Sequence, residues 1–415
     1  MIDIRAARHD PDAFRAALAR KGAGKVFDDF LAVDERWRAL ETQVTELRAR
    51  TNLKGKPTPE QLEELRKVKE DLKRLEEEHA AAASQRDDLL ARIPNPPAED
   101  APDGDSEEDA VVKRQVGEPP TFDFPARDHL ELAQAHGWID PERAARVSGS
   151  RFVYRVGDVA RLELALYRYT LDRLVDKGFV PVLPPVLVRE EAMYGTGFFP
   201  AEKNEFYEVE SDGLYLVGTS EVPLASFHMR EELDANSLPL RYAAFSTCFR
   251  REAGAAGKDT RGMFRVHQFD KVEMFTFTRP ELSRDEHEYL LSVEEELVQD
   301  LELPYRVVDI AAGELGASAV RKYDIEAWFP GQQRYREITS TSNTTDYQAR
   351  RLDIRYRHEG KLEYVHTLNG TAVTARAGIA IMENFQDADG TIGVPEPLWE
   401  HGAPQRMGGE TARVS

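Results

Sequence analysis

Two stretches near the N-terminus carry residues of one face at alternating spacings of three and four. Val33, Trp37, Leu40, Val44, Leu47 and Thr51 follow one another at spacings of 4, 3, 4, 3 and 4. Leu65, Val68, Leu72, Leu75, His79 and Ala82 follow at 3, 4, 3, 4 and 3. Seams of this kind predict two helices, over 28–51 and from Pro59 to about Arg92, packed along one stripe each. NLKGKPTP interrupts the pattern between them. Thr58, Pro59 and Gln61 then read as a capping box with proline at the first helical position. A short connection makes the pair an antiparallel hairpin, and at 1.5 Å per residue the longer helix reaches roughly 50 Å. Taken alone, such a seam serves equally for dimerisation or as a spacer.

The segment from Pro94 to Ala110, PNPPAEDAPDGDSEEDA, holds four prolines, seven acidic residues and no basic one. It reads as a linker that makes few contacts. From about Val111 onward, short strands rich in Val, Phe and Tyr recur, with helices expected at 158–177 and 280–300. The chain therefore divides into an N-terminal domain over 1–110, comprising hairpin and linker, and an α+β domain over 111–415. No internal repeat is present.

Composition sharpens this picture in three places. The net charge of −20 is unevenly spread: residues 1–92 carry 19 Lys+Arg and 19 Asp+Glu, so the whole excess lies after them. The hairpin thus repels phosphate far less than the rest, which permits RNA contact there. The single cysteine, Cys248, excludes an intrachain disulfide and a Cys-rich zinc site, and nothing beside it suggests a thiolate. No run approaches 18 apolar residues, so no membrane helix is expected, and the charged start MIDIRAARHD does not resemble a secretory signal. The expectation is a soluble protein of a reducing, cytoplasmic compartment.

The stretch 243–277, AAFSTCFRREAGAAGKDTRGMFRVHQFDKVEMFTF, is the most informative chemically. Its ends alternate like strands, in which residues two apart share a face. Arg250 and Glu252 are expected to point one way and Phe249 the other; Phe269 and Glu273 share a face of the second strand. The Gly-rich loop between them carries Lys258, Arg261 and Arg265. A basic loop beside an inward Arg/Glu pair suits a nucleoside triphosphate, with Arg on phosphate, Glu252 on the base and Phe269 stacked beneath it. A salt-bridged surface hairpin is the competing reading of this stretch alone.

CFRREAG, DTRG and HQFDKVE together resemble the second signature motif of class II aminoacyl-tRNA synthetases, in the form found in the seryl-tRNA synthetase family. Further stretches follow in that family's order. KGFVPVLPPVLV from Lys177 is similar to its first motif, and VGTSEVPL from Val217 to its serine loop. YREITSTSN from Tyr335 is similar to the metal and ATP strand, HTLNGTAVTAR from His366 to the third motif, and ENFQDADGTIGVPEPL from Glu383 to its C-terminal stretch. The likeness runs from residue 1 to about residue 400 and includes the helical arm, which the family uses to bind tRNA. The third motif departs from the common form NGSGLAVGR: it is one residue shorter, and Thr371 stands where Ser often does.

The resemblance implies an antiparallel β-sheet flanked by helices, preceded by a two-helix coiled-coil arm, and a role for each matching residue. Arg250 would bind the α-phosphate and Arg376 the γ-phosphate, as the catalytic pair. Arg251, Glu252, Arg265, Val266, Phe269, Glu337, Ile338, Thr339 and Ser340 would complete the ATP site, with Glu337 and Ser340 also holding Mg²⁺ and no zinc involved. Glu337 and Ser340 are three apart, so a straight strand cannot aim both inward, and a strand end or bulge is expected between them. In the serine site, Thr219 and Glu221 would hold the amino group, with Ser220 between them in the loop, and Glu273 and Thr371 would take the hydroxyl, with Asn369 nearby. Arg251 and Ser220 fall within the motifs, without an expected side-chain role. His267 is expected to be structural.

The activity implied is ATP-dependent seryl-adenylate formation and transfer of serine to the 3′ end of tRNA(Ser), and to tRNA(Sec) where that tRNA exists. The partners implied are L-serine, tRNA and a second copy of the chain, with no membrane. Exposed arm residues expected to meet phosphate are Arg48, Arg50, Lys54, Lys56, Arg66, Lys67 and Lys73. Two rivals remain on the same scaffold: an adenylating ligase that loads a carrier, which usually lacks the arm, and a non-catalytic relative, which would lack Arg250, Glu252 or Arg376.

Overall fold

The computed structural model describes residues 1–51, 58–253 and 262–408. Two compact units emerge, Met1–Pro96 and Pro97–Ser415. Lys54, Lys56, Lys258 and Arg261 lie outside the described residues.

In the first unit, α1 spans Gly24–Thr51 and α2 spans Pro59–Arg92, 28 and 34 residues long. The expected hairpin is present: all twelve seam residues are buried or half-buried, and the two helices pack together along their length. The capping box also forms. Thr58 Oγ1 accepts from the Gln61 amide at 3.3 Å, and Gln61 Oε1 accepts from the Thr58 amide at 2.8 Å. At the base, two short helices, Ile4–His9 and Pro11–Ala19, close a core of Ile2, Leu18, Phe27, Phe30, Leu90 and Ile93. A polar knot sits inside this seam. Asp34 is fully buried and accepts from Arg8 at 2.8 and 2.6 Å and from Arg86 at 2.8 Å. Burial alone would raise its pKa; hydrogen bonds and charge from Arg8 and Arg86 outweigh that and lower it.

The second unit is built on one eight-stranded sheet. Its strands are β1 (Val111–Val116), β2 (Val180–Val182), β3 (Leu240–Phe249), β4 (Gln268–Thr278), β5 (Tyr305–Asp309), β6 (Arg321–Phe329), β7 (Arg334–Thr345) and β8 (His366–Thr374). Their spatial order is β1-β5-β6-β7-β8-β4-β3-β2. Every pairing is antiparallel except β2 with β3. Helices α3 (His129–His136), α4 (Asp158–Asp176), α5 (Ser283–Asp300) and α6 (Ala375–Asn384) pack around it. The expected helices over 158–177 and 280–300 are thus α4 and α5, the latter preceded by a tight turn at Pro280–Leu282.

Two bulges shape the sheet where it matters. On β7 the register steps from Thr339 opposite Ile325 to Glu337 opposite Glu326, leaving Ile338 as the extra residue. On β8 it steps from Val373 opposite Val272 to Thr371 opposite Glu273, leaving Ala372 extra. The first is the interruption that the spacing of Glu337 and Ser340 required.

The acidic segment departs from expectation. It packs against its own unit instead of making few contacts. The Ala98 amide donates to Val320 O at 2.8 Å, and the Ala312 and Gly313 amides donate to Pro102 O at 2.8 Å and Gly104 O at 2.9 Å. Asp100 joins Arg321 at 2.6 Å and Arg284 at 2.7 Å. Backbone pairing and these arginines offset the cost of ordering a Pro-rich, acidic strand, and the unit boundary falls at 96/97 rather than 110.

Candidate active site

One cavity of about 310 Å³ opens over the face of the sheet formed by β4, β6, β7 and β8, past the end of β3 and at the start of α6. It is lined by Arg250, Glu252, Arg265, Val266, Phe269, Glu337, Ile338, Ser340 and Arg376, and by Thr219, Glu221, Asn369 and Thr371. Segments more than 150 residues apart in the chain therefore meet here.

The strand ends dictate the first group. Strand β3 stops at Phe249, and Glu252 takes a left-handed backbone with φ +51°. The alternation expected for Arg250 and Glu252 does not apply beyond Phe249; the turn, not the pleat, brings both to the cavity. The Arg250 amide donates to His267 O at 2.9 Å, and its Nε donates to Gly218 O at 3.0 Å. Its guanidinium lies 5.4 Å from the Phe269 ring centre. His267 Nδ1 sits 2.9 Å from Arg250 O, which is the structural part expected of it. Arg265 is paired with Glu252 through Nε.

The second group surrounds the bulge on β7. Arg376 Nη1 donates to Glu337 O at 3.1 Å and Oε2 at 3.3 Å, and its guanidinium lies 4.8 Å from the Phe264 ring centre. Thr374 caps α6, accepting from the Arg376 amide at 3.2 Å, which fixes where the guanidinium leaves the helix. Desolvation pushes the Glu337 carboxyl up, but Lys322, Arg376 and Arg250 outweigh it and hold its pKa at about 2. Lys322 Nζ lies 2.9 Å from Asp324, whose own pKa rises to about 7, first through burial and then through Glu337. Glu337 is thus held as a carboxylate on the cavity that Ser340 also lines. Among the described residues no group of three or more His, Cys, Asp or Glu gathers into a metal-holding cluster.

The third group is buried and acidic. Glu273, fully buried on β4, accepts from Asn369 Nδ2 at 3.2 Å and Thr371 Oγ1 at 3.4 Å across the β4–β8 ladder. Glu221 accepts from Gln348 Nε2 at 2.7 Å. Its pKa rises to about 7, mainly through burial and next through the charge of Glu273. Between these carboxylates lies Lys271, 5% exposed, ion-paired with Glu273 and donating to Thr219 Oγ1 at 2.7 Å.

Four of the expected site residues do not line the cavity: Glu273 is fully buried behind Asn369 and Thr371, and three others lie elsewhere. Arg251 turns outward, 5.9 Å from the Tyr207 ring centre. The Ser220 hydroxyl is buried outside the lining. Thr339 follows the bulge and points to the opposite face, donating to Glu294 on α5 at 3.2 Å. Conversely, Lys271, Lys322, Phe264 and Arg155 line the cavity without having been singled out. Lys271 carried a legible signal, since it alternates with Phe269 and Glu273. Lys322 carried none, because its place depends on the β6–β7 register. Cys248 is fully buried, and desolvation raises its thiol pKa, as befits an inert core residue.

Comparison with known proteins agrees with this geometry. Residues 206–385 match the family model described as the class II tRNA synthetase core domain (G, H, P, S and T), and residues 1–97 match the seryl-tRNA synthetase N-terminal domain. The chain is 50% identical to a serine–tRNA ligase of Thermobifida fusca, covering 96% of each chain. It is 51% identical to one of Acidothermus cellulolyticus, covering 97% of this chain and 98% of that one. The crystal structure of seryl-tRNA synthetase from Pyrococcus horikoshii complexed with ATP superposes with a TM-score of 0.92 at 41% identity, covering 98% of this chain and 99% of that one.

Proposed function

The chain belongs to the seryl-tRNA synthetase family, and we propose that it activates L-serine with ATP and transfers it to the 3′ end of tRNA(Ser), and of tRNA(Sec) where present. The observation that carries this reading is the meeting, in one cavity, of a hydroxyl-reading set with an arginine-lined nucleotide set. The first set is Thr371 and Asn369 on the lining, with the buried Glu273 accepting from both; the second is Arg250, Arg265, Arg376 and Glu337.

In the first step Glu221 and Thr219 hold the serine ammonium, and Glu273 with Thr371 takes its hydroxyl. The serine carboxylate attacks the α-phosphorus, the bond to the bridging oxygen breaks, and pyrophosphate leaves with that electron pair. Arg250 stabilises the charge gathering on the α-phosphoryl oxygens, and Arg376 and Arg265 receive the terminal phosphates. Phe269 stacks on the adenine and Glu252 accepts from its amino group. No protein nucleophile is needed; positioning and fixed charge supply the rate. Glu337, held ionised, and Ser340 are the residues that would hold Mg²⁺, which would take a carboxylate together with substrate phosphates and would neutralise their charge. In the second step the terminal ribose hydroxyl of tRNA attacks the adenylate carbonyl, and AMP departs.

The domain over residues 1–96 grips tRNA through its arm in this reading, and the rest of the chain is the catalytic domain. A homodimer is supported by edge strand β2, where Val180 is 54% exposed, and by Leu183 just past it, 83% exposed. No helix among the described residues is long and apolar enough to cross a membrane, and the cytoplasm is the compartment proposed. The test is pyrophosphate exchange dependent on serine, followed by charging of total tRNA.

A further inference from the structure

Two separate pieces of backbone carry the nucleotide side of the cavity. One is the segment Gly262–Val266, which brings Phe264 and Arg265; the other is α6, which begins with Arg376. Only one buried side chain joins their supports directly among the described hydrogen bonds, and it lies outside the cavity lining.

That side chain is His129, the first residue of α3. Its Nδ1 lies 3.0 Å from Glu383 Oε1, and its Nε2 lies 3.4 Å from the Met263 amide, which donates to it. An amide donor at Nε2 requires a lone pair there, so the imidazole carries its proton on Nδ1 and donates it to the carboxylate. Glu383 is fully buried and accepts also from the His129 amide at 3.1 Å and the Gly331 amide at 2.9 Å. It stands seven residues after Arg376 on α6, two turns along the same face. The fit against the segment is close. Gly262 takes φ +80°, and a Cβ there would lie 2.4 Å from His129 Nε2. A side chain at this position cannot coexist with the imidazole.

We propose that His129 is a positioning residue for ATP, tying the segment that presents Phe264 and Arg265 to the helix that presents Arg376. The tie runs from Met263 N–H through the imidazole to Glu383. It holds Phe264 where its ring meets both Arg376 and Arg336, 4.8 and 3.9 Å from the respective guanidinium carbons. The serine set on β4, β8 and the Glu221 helix has no member on this tie, so serine binding is independent of it. The inference rests on the reading of the cavity as an ATP site.

Asn and Gln separate the two halves of the tie. In His129→Asn the amide nitrogen replaces Nδ1 and keeps the bond to Glu383, but the Met263 amide loses its acceptor. In His129→Gln the amide oxygen replaces Nε2 and keeps that acceptor, but the bond to Glu383 is lost. Gly262→Ala disturbs the same contact from the other side without touching Glu383. Serine-dependent pyrophosphate exchange is measured with ATP and serine varied separately. The KM for ATP should rise about five- to tenfold in His129→Asn and in Gly262→Ala, the factor for one lost hydrogen bond. The KM for serine should stay near the parent value, and His129→Gln, which cuts the tie on its other side, should raise the KM for ATP as well. If both KM values rise together, if either His129 variant keeps the parent KM for ATP, or if Gly262→Ala leaves it unmoved, the proposal is wrong. Should both His129 variants fail to fold, Gly262→Ala alone decides. A parent protein without exchange would instead remove the ATP reading itself.

Discussion

Lys271 donates from Nζ to Thr219 Oγ1 across 2.7 Å, joining β4 to the turn that precedes the Glu221 helix. The same ammonium pairs with Glu273, so one buried cation holds together both sides of the proposed serine pocket. Lys271→Met leaves the Glu273 carboxylate buried without its partner, a change that typically costs about 3–5 kcal/mol. Serine-dependent exchange should fall by at least about a hundredfold in kcat/KM for serine, with the KM for ATP little changed. A variant that loses ATP affinity instead would place Lys271 in the nucleotide set.

Arg250→Ala should remove charge stabilisation from the α-phosphoryl group, worth about 3–4 kcal/mol, or roughly 10² to 10³ in rate. Circular dichroism should show the fold intact, because Arg250 sits beyond the end of β3 and its backbone bonds remain. Exchange close to the parent rate in the folded variant would refute the assignment.

Glu221 predicts a pH dependence. Burial and the neighbouring Glu273 raise its pKa to about 7, so the free pocket carries a neutral carboxyl below that pH and a carboxylate above it. The serine ammonium prefers the carboxylate. The KM for serine should therefore climb as pH falls through about 7 and approach roughly tenfold per unit below it. Glu221→Gln should bind serine weakly with a flat profile over the same range. A parent profile that is flat, or that slopes the other way, contradicts this role.

The arm can be tested by cutting at the unit boundary. Removing residues 1–96 spares the acidic segment, whose pairings with Val320, Ala312 and Arg321 belong to the catalytic unit. The shortened protein should keep serine-dependent exchange and lose most tRNA charging. Arg48 and Arg50 are engaged with Glu76 and Glu64 across the hairpin, at 2.8 and 3.2 Å. The better phosphate candidates are therefore the exposed Arg66, Lys67 and Lys73. Replacing these three with Ala should raise the KM for tRNA and flatten its salt dependence. Undiminished charging by the armless protein would make the arm a spacer.

The parts of the architecture that obey local rules were legible beforehand. The heptad seam named all twelve of its buried or half-buried residues, and the three-residue step from Glu337 to Ser340 called for a bulge that stands at Ile338. Features that depend on distant partners were not. Asp34 is held by Arg8 and Arg86, 26 and 52 residues away in the chain, and no local pattern marks it. The acidic, Pro-rich segment reads as unpacked because its partners Val320, Ala312 and Arg321 lie some two hundred residues on. Alternation placed Arg250 and Glu252 on one face, but a left-handed Glu252, not the pleat, brings them to the cavity.

Pyrophosphate exchange with each amino acid in turn tests the central claim most directly. In the proposed reading Glu273, Thr371 and Asn369, already joined by hydrogen bonds, take the serine hydroxyl, and a site built for a hydroxyl rejects the analogue lacking it by about 10⁴ or more. The account predicts that serine alone drives rapid exchange, with alanine slower by about that factor and threonine excluded by volume. Comparable kcat/KM for alanine and serine, or exchange driven by a different amino acid, would contradict it.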